Sequence, residues 1–260
     1  MKSASFPVMG KNTAAYHTPG AEITGNLFYH NERVIVIDDL LQSSVSIANI
    51  DEAKSQFDVR SEYSKQCGEA LALALDKNVQ RNIILAARAS ATVTDGDGGS
   101  VLTNASYSTS GATLASGIYA AAQKLDEKNV TASERYVFLK PAQYYLLTQT
   151  PDLLNTNWGG AGSYSKGVIP EIAGISIYKT NNVPQADDSS NTAIPSAYRA
   201  NFSTTVGTVH QKQAVGTVKL LDMGIDMEYS ASRQATLIVA KYAIGHGILR
   251  PECAIELKTS

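Results

Sequence analysis

The residues best equipped for nucleophilic or metal chemistry in this 260-residue chain are its two cysteines and four histidines, and their spacing organises neither reaction. Cys67 and Cys253 are not paired at any motif distance, so neither a Cys-based zinc site nor a disulfide framework is encoded. Cys67 falls in the apolar stripe of an expected helix, where a thiol behaves as an inert small hydrophobe; a cysteine hydrolase is the remote reading. The histidines at 17, 30, 210 and 246 are scattered, and none stands three or four residues from another as a helix-face metal site requires. His246 lies between Gly245 and Gly247 without an identifiable orienting partner, so a tight turn is expected there before a base or ligand.

Other motifs fail on particular residues. Gly162 and Gly167 have phosphate-loop spacing, but Val168 stands where a lysine must reach the phosphates. Asp95, Asp97 and Gly99 resemble the start of a calcium loop whose sixth position is Ser100 and whose twelfth is Ser106, where a bidentate Glu belongs. No G-x-S-x-G elbow occurs. The motifs point away from an enzyme, and no cofactor, metal or catalytic residue is expected.

Composition narrows the class. An apolar content of 43% can bury a sizeable core, in one large domain or two smaller ones. Lys plus Arg number 22 against 24 acidic residues, and no segment forms the basic block of a dedicated nucleic-acid binder. The cysteine usage fits folding in a reducing cytoplasm. The start, MKSASFPVMG, lacks an apolar signal core, and runs such as Val34 to Ile37 and Ile83 to Leu85 are too short for a bilayer.

The elements follow from periodicity. Phe6 and Pro7 are extended, Pro19 and Gly20 are turn residues, and the Val34 to Ile37 run with the alternating Val45 and Ile47 predicts a β-hairpin too apolar to stand alone. Asn49 and Glu52 form a capping-box pattern for a short helix to about Phe57. With Asp58 as N-cap, Tyr63, Cys67, Leu71, Leu75, Val79 and Ile83 place one apolar face on a helix from Val59 to about Arg88, roughly 45 Å long. Residues 90 to 111 read as a loop with at most one strand, and Thr113 to Asn129 as a second helix. Arg135 to Leu139 is a strand, Pro141 opens a helix to about Leu147, and 155 to 166 is a Gly-rich loop holding Trp158. Ile175 and Ile177 mark a strand, and Val183 to about Thr204 a polar surface loop. Strands are expected at Val215 to Leu221, Asp226 to Tyr229, Thr236 to Tyr242 and Ala254 to Leu257, with Gly245, His246 and Gly247 as the turn between the last two.

Several blocks together resemble the major capsid proteins of T-seven-like podoviruses, whose subunit has the Hong Kong 97 capsid fold. They are Phe6 to Gly10 with Ala14, Tyr16, Pro19 and Gly20; Asp58 to Tyr63 with Gln66, Gly68 and Leu71; Ala214 to Leu220; and, most closely, Ala240 to Glu252. They span nearly the whole chain in the family's order; 90 to 130 and 185 to 210 match poorly. The resemblance implies an α+β capsid fold: an N-terminal arm (1–16), an extended β-hairpin loop (17–49), a peripheral domain with the spine helix (50–134), an axial domain (135–210) and C-terminal strands returning to both (211–260). It implies a non-catalytic head protein that assembles with itself as pentamers and hexamers around a scaffolding protein, joined to a portal, in the host cytoplasm. The resulting virion shell encloses double-stranded DNA without sequence-specific binding. An encapsulin-like cellular shell protein is the alternative. Phe6, Phe28, Tyr29, Glu32 and Arg33 are the candidate interface residues, with folding back onto their own subunit as the competing role. Arg60, Glu62, Gly245, His246, Gly247 and Arg250 lie in the family-like blocks and are expected to brace the fold.

Two departures stand out. The family has more residues ahead of the arm than Met1 allows, which means a shorter member or a longer natural chain. Some shells of this fold are welded by an isopeptide bond from a loop lysine to a distant Asn, yet residues 12 to 53 contain no lysine. Mature particles are therefore expected to run as single subunits on denaturing gels; a ladder of multimers would refute a non-covalent shell.

Overall fold

The computed structural model describes residues 2–23, 25–54, 59–150, 167, 169 and 171–260. Asp58 as N-cap, the helix end at Phe57, Gly162 and Val168 of the incomplete phosphate loop, and the Trp158 loop lie outside the described residues.

The chain opens on a ribbon. β1 (Ser3–Met9) runs antiparallel to β2 (His30–Val36), with Ser3 opposite Val36 and Met9 opposite His30. Pro7 is tolerated because β1 is an edge strand and owes no hydrogen bond outward. Between these strands the described residues from Lys11 to Tyr29 are exposed throughout. The expected hairpin is corrected here: the 34–37 and 44–47 runs do not pair with each other. β3 (Leu41–Ala48) instead pairs with β10 (Ala235–Ile248), which also pairs with β9 (Val215–Ser230), giving the order β3-β10-β9. Alternation specifies which face of a strand is covered, not which strand lies beside it.

Beyond the short α1 (Asn49–Lys54), the spine helix α2 (Val59–Arg88) has the bounds its apolar spacing predicts. Its first half lays Cys67 and Leu71 on Ala240, Tyr242 and Ile244 of β10. Its last turns bury Ile83, Ala86 and Ala87 against Ala214, Cys253 and Ala254. Tyr63, expected on the apolar face, is exposed.

A second unit is built on a mixed six-stranded sheet in the order β4 (Ser100–Thr103), β11 (Ala254–Lys258), β8 (Thr205–Gln211), β5 (Arg135–Leu139), β7 (Ile175–Lys179), β6 (Glu171–Ile172). α3 (Gly111–Glu127) and α4 (Pro141–Thr148) cover one face, burying Leu114, Ile118, Leu125 and Leu147 against Val137, Leu139, Val209, Ile255 and Leu257. The Ser110 side chain accepts from the Thr113 amide to cap α3, and Pro141 occupies the first turn of α4. β4 and α3, although within 50–134, thus share the core of this sheet.

Four expectations are corrected. Gly245, His246 and Gly247 form no turn but lie inside β10, and β9 is continuous where two strands were expected. The fully buried β8 sits at the centre of its sheet where no strand was expected. The polar segment 183–204 is no free surface loop: Val183, Ile194, Tyr198 and Phe202 are buried anchors, and Asp188 pairs with Arg81 of α2 at 2.8 Å.

An ion pair ties α2 to the six-stranded sheet. Glu256 of β11, 0% exposed, receives Nε and Nη2 of Arg88 at 2.6 Å each, and the Thr205 hydroxyl donates to it at 2.6 Å. Arg88 Nη1 donates to the Asn201 carbonyl at 2.7 Å, and its guanidinium lies 5.5 Å from the centre of the Phe202 ring. Arg88→Ala would strand a buried carboxylate, and a loss of about 3 kcal/mol in chemical denaturation is expected, with Arg88→Lys recovering only part because the two-pronged geometry is lost.

Candidate functional site

The five candidate interface residues converge on the ribbon. Phe6 is half-buried on β1 opposite Arg33, while Phe28 and Tyr29 are exposed where the excursion re-enters β2. Glu32 accepts from the Ser5 hydroxyl at 2.6 Å, and Arg33 Nε donates to the Thr92 hydroxyl at 3.1 Å. The Glu32 bond joins the ribbon's two strands, and the Arg33 bond ties the ribbon to the body. The more exposed apolar side chains lie further out, at Tyr16, Ile23 and Leu27.

At its base the ribbon crosses β10, and the glycines permit the crossing. A Cβ on Gly245 would lie 2.2 Å from the Val36 carbonyl oxygen, and one on Gly247 would lie 2.7 Å from Ile35 Cγ1. Ile35 is buried there. β3 pairs with β10 only as far as Tyr242, which leaves the rest of that β10 edge without a strand. The Tyr198 phenol takes the vacated place: its oxygen accepts from the His246 amide at 2.9 Å, and its proton goes to Asp38 Oδ2 at 2.6 Å. His246 Nδ1 lies 3.0 Å from the Thr217 hydroxyl. Burial raises the Asp38 carboxyl above its usual range, helped by neighbouring Asp39 and opposed by the Tyr198 hydrogen bond. Burial foremost, with the Asp38 contact second, pushes the Tyr198 phenol up, and burial lowers His246.

The remaining family-like residues brace locally. Arg60 reaches the Thr236 hydroxyl at 3.5 Å, and Glu62 accepts from Gln66 at 3.4 Å. Arg250 bridges Glu252 and Gln213 at 2.8 and 2.9 Å, pinning the end of β10 to the turns around it.

A second surface was not among the sequence candidates. Along β9, Met223, Ile225, Met227 and Tyr229 are all exposed and recur at every second position, between Gly224, Asp226 and Glu228. β9 is an edge strand, so both its apolar stripe and one row of backbone groups face outward. The signal was present as a two-residue period, but periodicity cannot separate a stripe facing the core from one facing another chain.

Among the described residues, no three His, Cys, Asp or Glu side chains group as metal ligands, and no helix is long and apolar enough to cross a membrane. Asp97 of the incomplete calcium loop is paired with Lys11. Both cysteines are buried, and burial pushes the Cys253 thiol up to about 11. His210 is held down to about 4 by burial and stacks on Phe138.

A long helix bridging two sheets, with an exposed ribbon at one end, is the architecture of phage capsid subunits with the Hong Kong 97 fold. The capsid structure of cyanophage P-SCSP1u matches 100% of this chain and 84% of its own at a TM-score of 0.92 and 40% identity. The mature capsid of bacteriophage PhiM1 shares the fold at a TM-score of 0.85 and 17% identity, over 100% of this chain and 82% of that one. The major capsid protein of Escherichia phage T7 is 31% identical over 97% of this chain and 81% of its own length. The Gp10A-like major capsid protein family matches residues 5–258, and the chain belongs to that family. It is a phage major capsid protein of the virion shell; the match does not favour the encapsulin-like alternative.

The crossing gives a direct test. Gly245→Ala forces a Cβ into the Val36 carbonyl, so the thermal midpoint should fall by several degrees, a loss of about 1–3 kcal/mol, whereas Gly224→Ala, with open space around it, should change little.

Proposed function

We propose that this chain forms pentamers and hexamers that close into an icosahedral shell around a scaffolding protein, joined to a portal and enclosing double-stranded DNA. Assembly takes place in the host cytoplasm and involves no catalysis. The observation that carries this reading is a mismatch within one chain: Tyr16, Ile23 and Leu27 on the ribbon's excursion and the stripe on β9 are apolar, exposed and not covered by their own fold. Residues 1–49 act as arm and extended loop, and the excursion lies over a neighbouring copy, with Phe6, Phe28 and Tyr29 at its stem. The three-stranded sheet with α2 serves as the peripheral domain. The six-stranded unit serves as the axial domain, which then takes in residues 100–133 as well as 135–210.

Modest contacts suffice, because burying each large aliphatic contributes roughly 1.5–3 kcal/mol and every subunit meets several neighbours at once. With 22 basic against 24 acidic residues, DNA is contained without a dedicated basic surface. Electron microscopy of the protein co-expressed with its scaffolding protein tests the proposal. Closed particles are expected from the intact chain, and removal of residues 13–27 should leave a folded subunit that does not close. An intact chain that stays monomeric beside its scaffold would sink the reading.

A further inference from the structure

The junction where the ribbon leaves the body is built as a joint with a buried pin, separate from the ties that Asn31 and Arg33 make to Thr92 further along β2. Residues 37–40 link β2 to β3, and in four residues the chain must pass from the ribbon into the three-stranded sheet. The backbone there makes one bond back to the arm, from the Ile37 amide to the Lys2 carbonyl at 2.9 Å. Within this link the polar contact to the body is through a side chain, Asp38, whose partner Tyr198 comes from 160 residues away. Tyr198 is 1% exposed and sits on a 3-10 turn, Ser196–Tyr198, of the segment that Asp188 and Arg81 fasten to α2.

We propose that Tyr198 is the pin that sets the angle of the extended loop, by joining Asp38 at the ribbon's base to the open backbone edge of β10 at His246. The geometry fits a two-sided joint. A phenol has one proton and accepting lone pairs. At 2.6 Å the phenol donates that proton to Asp38 Oδ2, while its oxygen accepts from the His246 amide at 2.9 Å; the His246 carbonyl, at 3.3 Å, is the longer alternative acceptor. One atom thus satisfies a strand edge that β3 abandons and an acid at the joint. The apolar crossing of Ile35 over Gly247 gives a surface on which the ribbon can pivot, because packing is not directional whereas a short charge-assisted hydrogen bond is. Without the phenol oxygen, the His246 amide and Asp38 lose their partner together.

The inference rests on the reading of the excursion as an arm toward a neighbour, but its test is made within one subunit. Hydrogen–deuterium exchange is compared between the unassembled full chain, Tyr198→Phe and Asp38→Asn. Tyr198→Phe keeps the ring and its burial, and it should speed exchange at His246 and across residues 35–40 by about fivefold to a hundredfold. Peptides from β5 and β8 should be unchanged, which separates loss of the pin from loss of the fold. Asp38→Asn keeps an acceptor oxygen without the charge and should give a smaller rise at 35–40, with His246 still protected. Equal protection of 35–40 and His246 in all three proteins would overturn the proposal. So would faster exchange spread evenly into β5 and β8. Neither result depends on whether deletion of residues 13–27 blocks closure, so the joint and the arm can fail separately.

Discussion

The Arg88–Glu256 contact decides how the two halves of the subunit sit on one another. Glu256 alternates along β11 with Ile255 and Leu257, whose side chains enter the core under α3, so its own side chain must emerge on the α2 side of the sheet. A carboxylate in that position is costly unless it is fully paired. The planar fork of Arg88 and the Thr205 hydroxyl donate to it, the Asn201 carbonyl accepts from the remaining Arg88 nitrogen, and the guanidinium lies over the Phe202 ring. The paired fork specifies one register of helix on sheet.

Around that fixed point the subunit treats its apolar surface in two ways. Where α3, α4 and α2 meet the sheets, large aliphatics are buried. At the ribbon and along β9 they are left outside, on elements with few neighbours of their own. A monomeric protein would not maintain two such surfaces, because contiguous exposed apolar residues invite association. A subunit whose folded state is completed by other subunits has reason to.

Much of the fold was legible where local periodicity and long-range packing agree. α2 keeps the bounds read from its apolar spacing, and the strand at 135–139 and the helix opened by Pro141 stand where expected. Reading failed where the partner decides. β2 and β3 were recognisable as strands but not as members of different sheets. β8, with the sequence TVGTVHQ, was hidden by the polar stretch before it, although its valines and threonines suit a strand. Gly245 and Gly247 looked like turn residues because glycine's lack of a side chain serves a turn and a close crossing equally well. The candidate site was half legible: the ribbon was chosen for its aromatics, whereas the joint of Asp38, Tyr198 and His246 joins residues too distant for any local pattern to link them.

The edge of β9 also bears on symmetry. Asp226 and Glu228 lie on the strand's other face from the apolar stripe, and Asp226 has Lys241 of its own sheet as a partner. Two copies meeting edge to edge through this strand would set the acidic rows of both against each other, and like charges directly across a strand pair repel. A two-fold handshake, which closes on itself as a dimer, is thereby discouraged. A contact between unlike surfaces, the stripe of one copy against a different element of the next, meets no such penalty and leaves each copy with a free site of each kind. The order of charges along one strand thus counts against a symmetric pairing of this edge with itself.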